Sequence, residues 1–221
     1  MTTIPLTVLD NFFPNPNAIR DYALSLEYRN DPIGSYPGKR SKPLHIINEN
    51  LFHYVNNKII SLFFNNHKEV DYQSMLSFQL IDDYPGEGWV HHDPSLFTFI
   101  IYLHESNPNI NCGTSLWTLN SNITHPIKNI DERKYTDEKR YDHHINKKFD
   151  KESHNSWNKN FTKEISIPDK YNRLIAFSSE QFHSANEYNN GLSPRLTLIG
   201  FVKNINNAKL PIIRSKQTLM F

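Results

Sequence analysis

The chain has 221 residues, 38% of them apolar and 13% aromatic, with 24 Lys and Arg against 23 Asp and Glu for a formal net charge of +1. A chain of this length buries a core without disulfide or metal staples, and its apolar share excludes a disordered polymer. The balanced charge gives no electrostatic drive toward nucleic acid or membrane, and the single cysteine, Cys112, excludes a disulfide framework and a Cys-rich zinc site.

At the N-terminus, Met1 to Asp10 lacks a basic stretch followed by an apolar core, so no signal peptide is read. No apolar run approaches the ~20 residues of a membrane helix. The expectation is a soluble cytoplasmic protein of one domain, 1–221.

In chain order, Thr7–Phe13 reads as a short strand. Asn15 and Pro16 then open a helix as cap and first helical residue, with Ile19, Tyr22, Ala23 and Leu26 on one face. A polar loop over Asn30–Pro43 contains Lys39 and Arg40, which suit either solvent or an anionic substrate. A second helix is expected over Glu49–Phe64, with Leu51, Val55, Ile59 and Leu62 as its buried stripe. From Tyr72 onward the runs are β-branched and aromatic, bounded by Gly, Pro, Asn or Asp. Strands are expected at Ser74–Ile81, Phe97–Leu103, Thr114–Leu119, Glu164–Pro168, Arg173–Phe177 and Arg195–Val202. These imply a mainly β protein with flanking helices: an N-terminal helical part over about 1–70 packing on an antiparallel sandwich or barrel over about 71–205. The stretch Asn120–Asn160 is charged and poor in apolar residues, and reads as a long solvated loop carrying His143, His144 and His154.

The chemistry begins at Gly88-Trp-Val-His-His-Asp-Pro94. On an extended segment His91 and Asp93 point the same way, with Trp89, while His92 faces away. His92 replaces His91 as the candidate only if the segment is coiled. With His183, the pair makes a three-sided set of two imidazoles and a carboxylate, suited to Fe(II) with open coordination positions. Arg195 opens a strand of otherwise apolar residues, where a buried cation needs an anion. Its planar fork suits a carboxylate, and Thr197 shares its strand face. Trp89, Trp117 and Trp157 are candidates to line or cover the pocket, although core packing explains Trp117 equally well.

The order His-x-Asp, a Tyr-Leu strand, Gly-Thr, Phe177-x-x-x-x-Phe-His-Ser184 and Arg-x-Thr resembles the Fe(II)/2-oxoglutarate oxygenase superfamily. In particular it is similar to the small prolyl-hydroxylase-like proteins and their uncharacterised bacterial and phage relatives, over roughly Tyr72–Val202. The resemblance implies a double-stranded β-helix of the jelly-roll or cupin-like kind. It implies His91, Asp93 and His183 as catalytic iron ligands, and Arg195 with Thr197 and Tyr102 as the clamp on the distal carboxylate of 2-oxoglutarate. It implies an enzyme that uses O2, decarboxylates 2-oxoglutarate to succinate and hydroxylates a C–H bond of a peptide side chain or small metabolite. Cys112-Gly113 stands where many relatives have Gly-Gly, and His104 where many have Asn; both bear on substrate details rather than the metal. Two other readings remain open, a non-catalytic barrel and a cupin-like metal protein that needs no oxo acid.

Overall fold

The computed structural model describes residues 4–32, 36–82, 84–123, 130–189 and 191–206. Parts of the two expected loops (33–35 and 124–129) and the ends of the expected domain (1–3 and 207–221) lie outside the described residues.

Strand β1 (Thr7–Leu9) is shorter than the sequence suggested, because Asn11 takes a φ of 58° and turns the chain out of the sheet. Phe12 and Phe13 then donate from their backbone N–H groups to the Asn172 carbonyl and side chain. Helix α1 (Pro16–Leu24) starts as expected, with the Asn15 side chain accepting from Ala18 N at 3.3 Å. The expected loop contains a small hairpin, β2 (Arg29–Asn30) and β3 (Lys39–Arg40). After the single turn of α2 (Leu44–Ile47) comes α3 (Glu49–Ser61), capped by Asn48. It buries Leu51, Val55, Ile59 and Ile60. Leu62 is 38% exposed, since the helix ends one residue earlier and the burial passes to Phe64.

The remaining strands are β4 (Tyr72–Ile81), β5 (Phe97–Tyr102), β6 (Thr114–Leu119), β7 (Phe161–Ile167), β8 (Leu174–Ser178), β9 (Phe182–Ala185) and β10 (Arg195–Ile205). They form two antiparallel sheets, in the orders β1-β8-β5-β10-β4-β3-β2 and β7-β6-β9. The fold is mainly β with flanking helices, a double-stranded β-helix.

Period-two alternation sorts the larger sheet into two faces. Phe97, Phe99 and Ile101 on β5, and Leu196, Leu198 and Val202 on β10, join α1–α3 in the main core with Leu44, Val55 and Ile59. Each such side chain contributes about 1.5–3 kcal/mol when fully buried. The opposite face carries Ile100 and Tyr102, which pack with Leu116, Ile167, Ile175 and Phe177 between the two sheets. The polar residues Arg195, Thr197 and Thr98 therefore look inward, toward the space between the sheets.

The charged stretch is not a loop. It holds α4 (Ile130–Asn146) and α5 (Lys151–Asn158), the latter capped by Asp150, whose side chain accepts from Ser153 N. His143, His144 and His154, read from sequence as solvated, are buried. His143 and His154 bury because their polar rings find partners on the segment before β5. Trp89 Nε1 donates to His143 Nδ1 at 2.9 Å, His143 Nε2 donates to the Pro85 carbonyl, and His154 Nε2 meets the Gly88 carbonyl at 3.1 Å. Trp157 Nε1 donates to the Val90 carbonyl at 2.7 Å, so this tryptophan ties α5 down rather than lining the pocket. Among the described residues no helix is long and apolar enough to cross a membrane.

Candidate metal centre

The segment before β5 reaches the edge of the smaller sheet and pairs with β9. Gly88 N donates to the Ala185 carbonyl at 3.0 Å, and a Cβ at Gly88 would sit 2.7 Å from Ala185 N, so only glycine allows this approach. Three residues on, His91 and His183 exchange both backbone hydrogen bonds, at 3.0 and 2.8 Å. The pairing sets their rings 4.4 Å apart between centroids. Asp93 N donates to the Ser179 carbonyl, which brings the carboxylate to the same spot. Its Oδ2 lies 3.3 Å from His183 Nε2 and its Oδ1 3.9 Å from His91 Nε2. The candidate ligand atoms of the three residues all lie within 4.8 Å of one another. His92 is exposed and outside this cluster, so the extended alternative holds for His91.

The protonation pattern follows from the acceptors. His91 Nδ1 lies 2.8 Å from the Trp89 carbonyl, and His183 Nδ1 lies 2.9 Å from that of Gln181. A carbonyl only accepts, so both Nδ1 atoms carry the proton and both Nε2 lone pairs are free on the Asp93 side. Burial, reinforced by His183 and Arg140, holds His91 well below the usual imidazole range and therefore neutral. Burial alone would raise Asp93. The neighbouring His183 and His91 rings and the Thr98 hydroxyl outweigh it and hold the carboxylate far below its ordinary value.

Asp93 is also held by a chain of hydroxyls. Thr98 Oγ1 donates to Asp93 Oδ2 at 2.9 Å, which commits its one proton. Ser179 must then donate to Thr98 at 2.8 Å, and Ser95 to Ser179 at 2.7 Å. Such relays strengthen each member. Two imidazoles that turn Nε2 to the cavity and an ionised carboxylate beside them fit a divalent ion of the Fe(II) kind. Neighbouring ligands on such an ion stand about 3 Å apart, near the separations seen.

Arg195 is buried at the start of β10, with its Nε donating to the Cys112 carbonyl at 3.1 Å. Its guanidinium stands 5.6 Å from the Tyr102 ring and 5.9 Å from that of Tyr188. Among the described residues it has no salt-bridge partner, so the structural ion pair that would explain a buried arginine is missing. Tyr102 is fully buried and its hydroxyl shares a 2.8 Å hydrogen bond with Thr114. The Thr197 hydroxyl is buried without any hydrogen-bond partner. A buried cation short of an anion, beside an orphaned hydroxyl, is a donor set that fits a carboxylate. A cavity of about 440 Å³ joins Arg195 and Thr114 to His91, Asp93 and His183.

Several contributors were invisible in the sequence. His104 Nε2 lies 3.0 Å from Asp169 Oδ2, its Nδ1 lies 3.1 Å from the Leu196 carbonyl, and Asp169 Oδ1 accepts from Cys112 N at 2.8 Å. His104 and Cys112, the two departures from the family pattern, thus belong to one network that holds the carbonyl on Arg195. Both therefore lie at the arginine end of the pocket. The Cys112 thiol itself is buried and pushed up to about 11 by that burial, which makes it inert.

The fold places the chain in the double-stranded β-helix class. A family model described as "Family of unknown function (DUF6445)" matches residues 1–197, and the chain belongs to that family. No curated protein matches the sequence. Among solved structures it is similar to HygX from Streptomyces hygroscopicus with nickel and 2-oxoglutarate bound, at 11% identity and a TM-score of 0.51, covering 90% of this chain and 83% of that one. A Pseudomonas putida prolyl-4-hydroxylase gives 11% identity and a TM-score of 0.47, over 90% of this chain and 92% of that one. A Trichoplax adhaerens prolyl hydroxylase in complex with a hypoxia inducible factor peptide fragment gives 13% and 0.48, over 90% and 83%. At such identities the likeness is one of fold.

Proposed function

We propose that this chain is, as one domain, an Fe(II)- and 2-oxoglutarate-dependent oxygenase that hydroxylates a C–H bond of a peptide side chain or small metabolite. The observation that carries this reading is one cavity with two complementary ends. His91, Asp93 and His183 present three free ligand atoms, and Arg195 presents a buried guanidinium with no salt-bridge partner among the described residues. The fold shared with HygX, whose structure holds nickel and 2-oxoglutarate, supports it.

His91, Asp93 and His183 would hold Fe(II), with Nδ1–H bonds to backbone carbonyls fixing both rings and Thr98 fixing the carboxylate. Arg195 would grip the distal carboxylate of 2-oxoglutarate, Thr197 would donate its unpaired hydroxyl, and Tyr102 would back the guanidinium. When bound, iron and 2-oxoglutarate supply the oxidation: O2 and the oxo acid go to succinate and CO2 as a substrate C–H becomes C–OH. The chain's own work is to bind, orient and keep water out, the last helped by the buried Trp89 and Tyr188 around the cavity.

The test is anaerobic addition of Fe(II) and 2-oxoglutarate to apo-protein, read by the weak visible charge-transfer band of the chelate. The expected result is a band in the wild type that is lost in His91→Ala and weakened in Arg195→Ala. Iron binding without a 2-oxoglutarate band would favour a cupin-like or non-catalytic protein instead.

A further inference from the structure

The cavity holds more positive charge than the proposed reaction uses. Arg40, Arg140, Arg195 and Lys203 line it, against one carboxylate, Asp93. Adding a divalent ion and the dianion of 2-oxoglutarate leaves that excess unchanged. Lys203 is exposed, but the other three are arginines turned into the interior.

Arg40 and Arg140 come from different elements. Arg40 pairs with Gln79 of β4 in backbone register, and Gln79 pairs with Thr197 of β10, so all three lie on the inward face. Its neighbour Lys39 points the other way and meets Asp82 at 3.3 Å. The Arg40 guanidinium lies 3.7 Å from the Tyr36 ring and 5.5 Å from that of Phe201. Arg140 reaches in from α4, near Tyr84 and Tyr188. Both cations lose solvation on burial, which Asp93 and Asp31 offset in part at Arg40, and Asp137 and Asp93 in part at Arg140. The buried Nε of each has no hydrogen-bond partner, and neither has a salt-bridge partner among the described residues. A half-buried guanidinium with an unbonded buried nitrogen is completed by an anion at hydrogen-bond distance, and none of these carboxylates comes so close.

That anion is not the one Arg195 holds. The Arg40 backbone is level with Thr197, but its guanidinium leans to within 5.5 Å of the Phe201 ring, and Phe201 is six residues, about 20 Å of extended strand, from Arg195. Between them the floor is Ile199, with Met75 facing Phe201 across β4. We propose that the substrate is a small molecule with an apolar body and an oxyanionic group, carboxylate or phosphate, held by Arg40 and Arg140 while Arg195 serves the 2-oxo acid. A cavity of about 440 Å³ is at the small end of ligand pockets, which favours a metabolite over a folded partner. This assignment rests on the oxygenase reading above.

The experiment uses full-length protein saturated anaerobically with Fe(II) and 2-oxoglutarate, so that the visible band reports the underlying reading. Inorganic phosphate and benzoate are titrated separately at constant ionic strength, and perturbation of the band is followed. Saturable binding of at least one is expected, weakened about 10- to 100-fold in Arg40→Gln and in Arg140→Gln while the band persists. Binding of phosphate alone identifies a phosphorylated substrate, and of benzoate alone a carboxylic acid. Should a Gln variant lose the band, the Arg→Lys variant, which keeps charge but not the planar fork, takes its place, with the same weakening expected. A band with no saturable binding, or with binding unchanged in both variants, overturns this assignment alone. No band in the wild type overturns the oxygenase reading and this assignment with it.

Discussion

The two walls of the cavity are built in opposite ways. On one side, His91, Asp93, His183 and Arg195 sit on strands or on segments paired to them, and each side chain is fixed by a bond to a backbone carbonyl or hydroxyl. On the other, Arg40 comes from a two-residue strand and Arg140 from a polar helix, and the buried Nε of each is unbonded. Strand alternation and paired backbone give positions good to a fraction of an ångström, which ligation of a metal demands. A guanidinium on a long stem can instead adjust to what arrives. On the proposed reading, the difference separates a preformed metal centre from a wall shaped for recognition.

Breaking the preformed side should have the largest effect. His183→Ala removes a proposed ligand and is expected to lower Fe(II) affinity by about two orders of magnitude or more, measured by competition with a chelator. His104→Ala leaves Asp169 buried beside Cys112 without its partner, and should cost about 3–5 kcal/mol in denaturant unfolding, as loss of one half of a buried pair does. The α4–α5 stretch should show its own pH signature. Burial holds His143 at about 4 against an ordinary 6.5, so its contribution is full above pH 6.5 and is lost as the pH falls from there toward 4. At most about 3 kcal/mol is at stake. Melts of wild type and His143→Gln at both ends of that window should therefore converge at the acid end; equal separation at the two pH values would contradict the assignment. His144 and His154 lie close by, and the His143→Gln difference isolates one ring. Thr98→Val removes the donor on Asp93, and a 10- to 100-fold loss of metal affinity with the fold intact is expected. The smallest effect belongs to Lys39→Ala, whose exposed pair with Asp82 should change stability by under about 1 kcal/mol and leave anion binding alone, in contrast to Arg40 next door.

Much of the preformed side was legible because it is local. The spacing of His91 and Asp93, the apolar run of β5 and the lone Arg195 on β10 each report a strand face directly, since a period of two leaves no choice of side. The α4–α5 stretch was not legible. Its helices bury histidines instead of a leucine stripe, and a polar helix that docks through imidazoles has no apolar period to detect. Strand β9 has four residues and is defined by pairing with β6 and His91, not by its own pattern. The His104–Asp169 pair spans 65 positions, and no window along the chain contains it. Arg40 was visible as a candidate, but only the register with Gln79 shows which way it faces.

The most direct test of the central claim, one cavity with a metal at one end and Arg195 reserved for the oxo acid at the other, is calorimetric titration of 2-oxoglutarate into three samples. These are Mn(II)-loaded wild type, metal-free wild type and Mn(II)-loaded Arg195→Ala. Stoichiometric binding to the first and binding at least about 100-fold weaker to the other two is the expected result. Equal affinity in all three would contradict it, because neither the metal nor the buried arginine would then be holding the ligand.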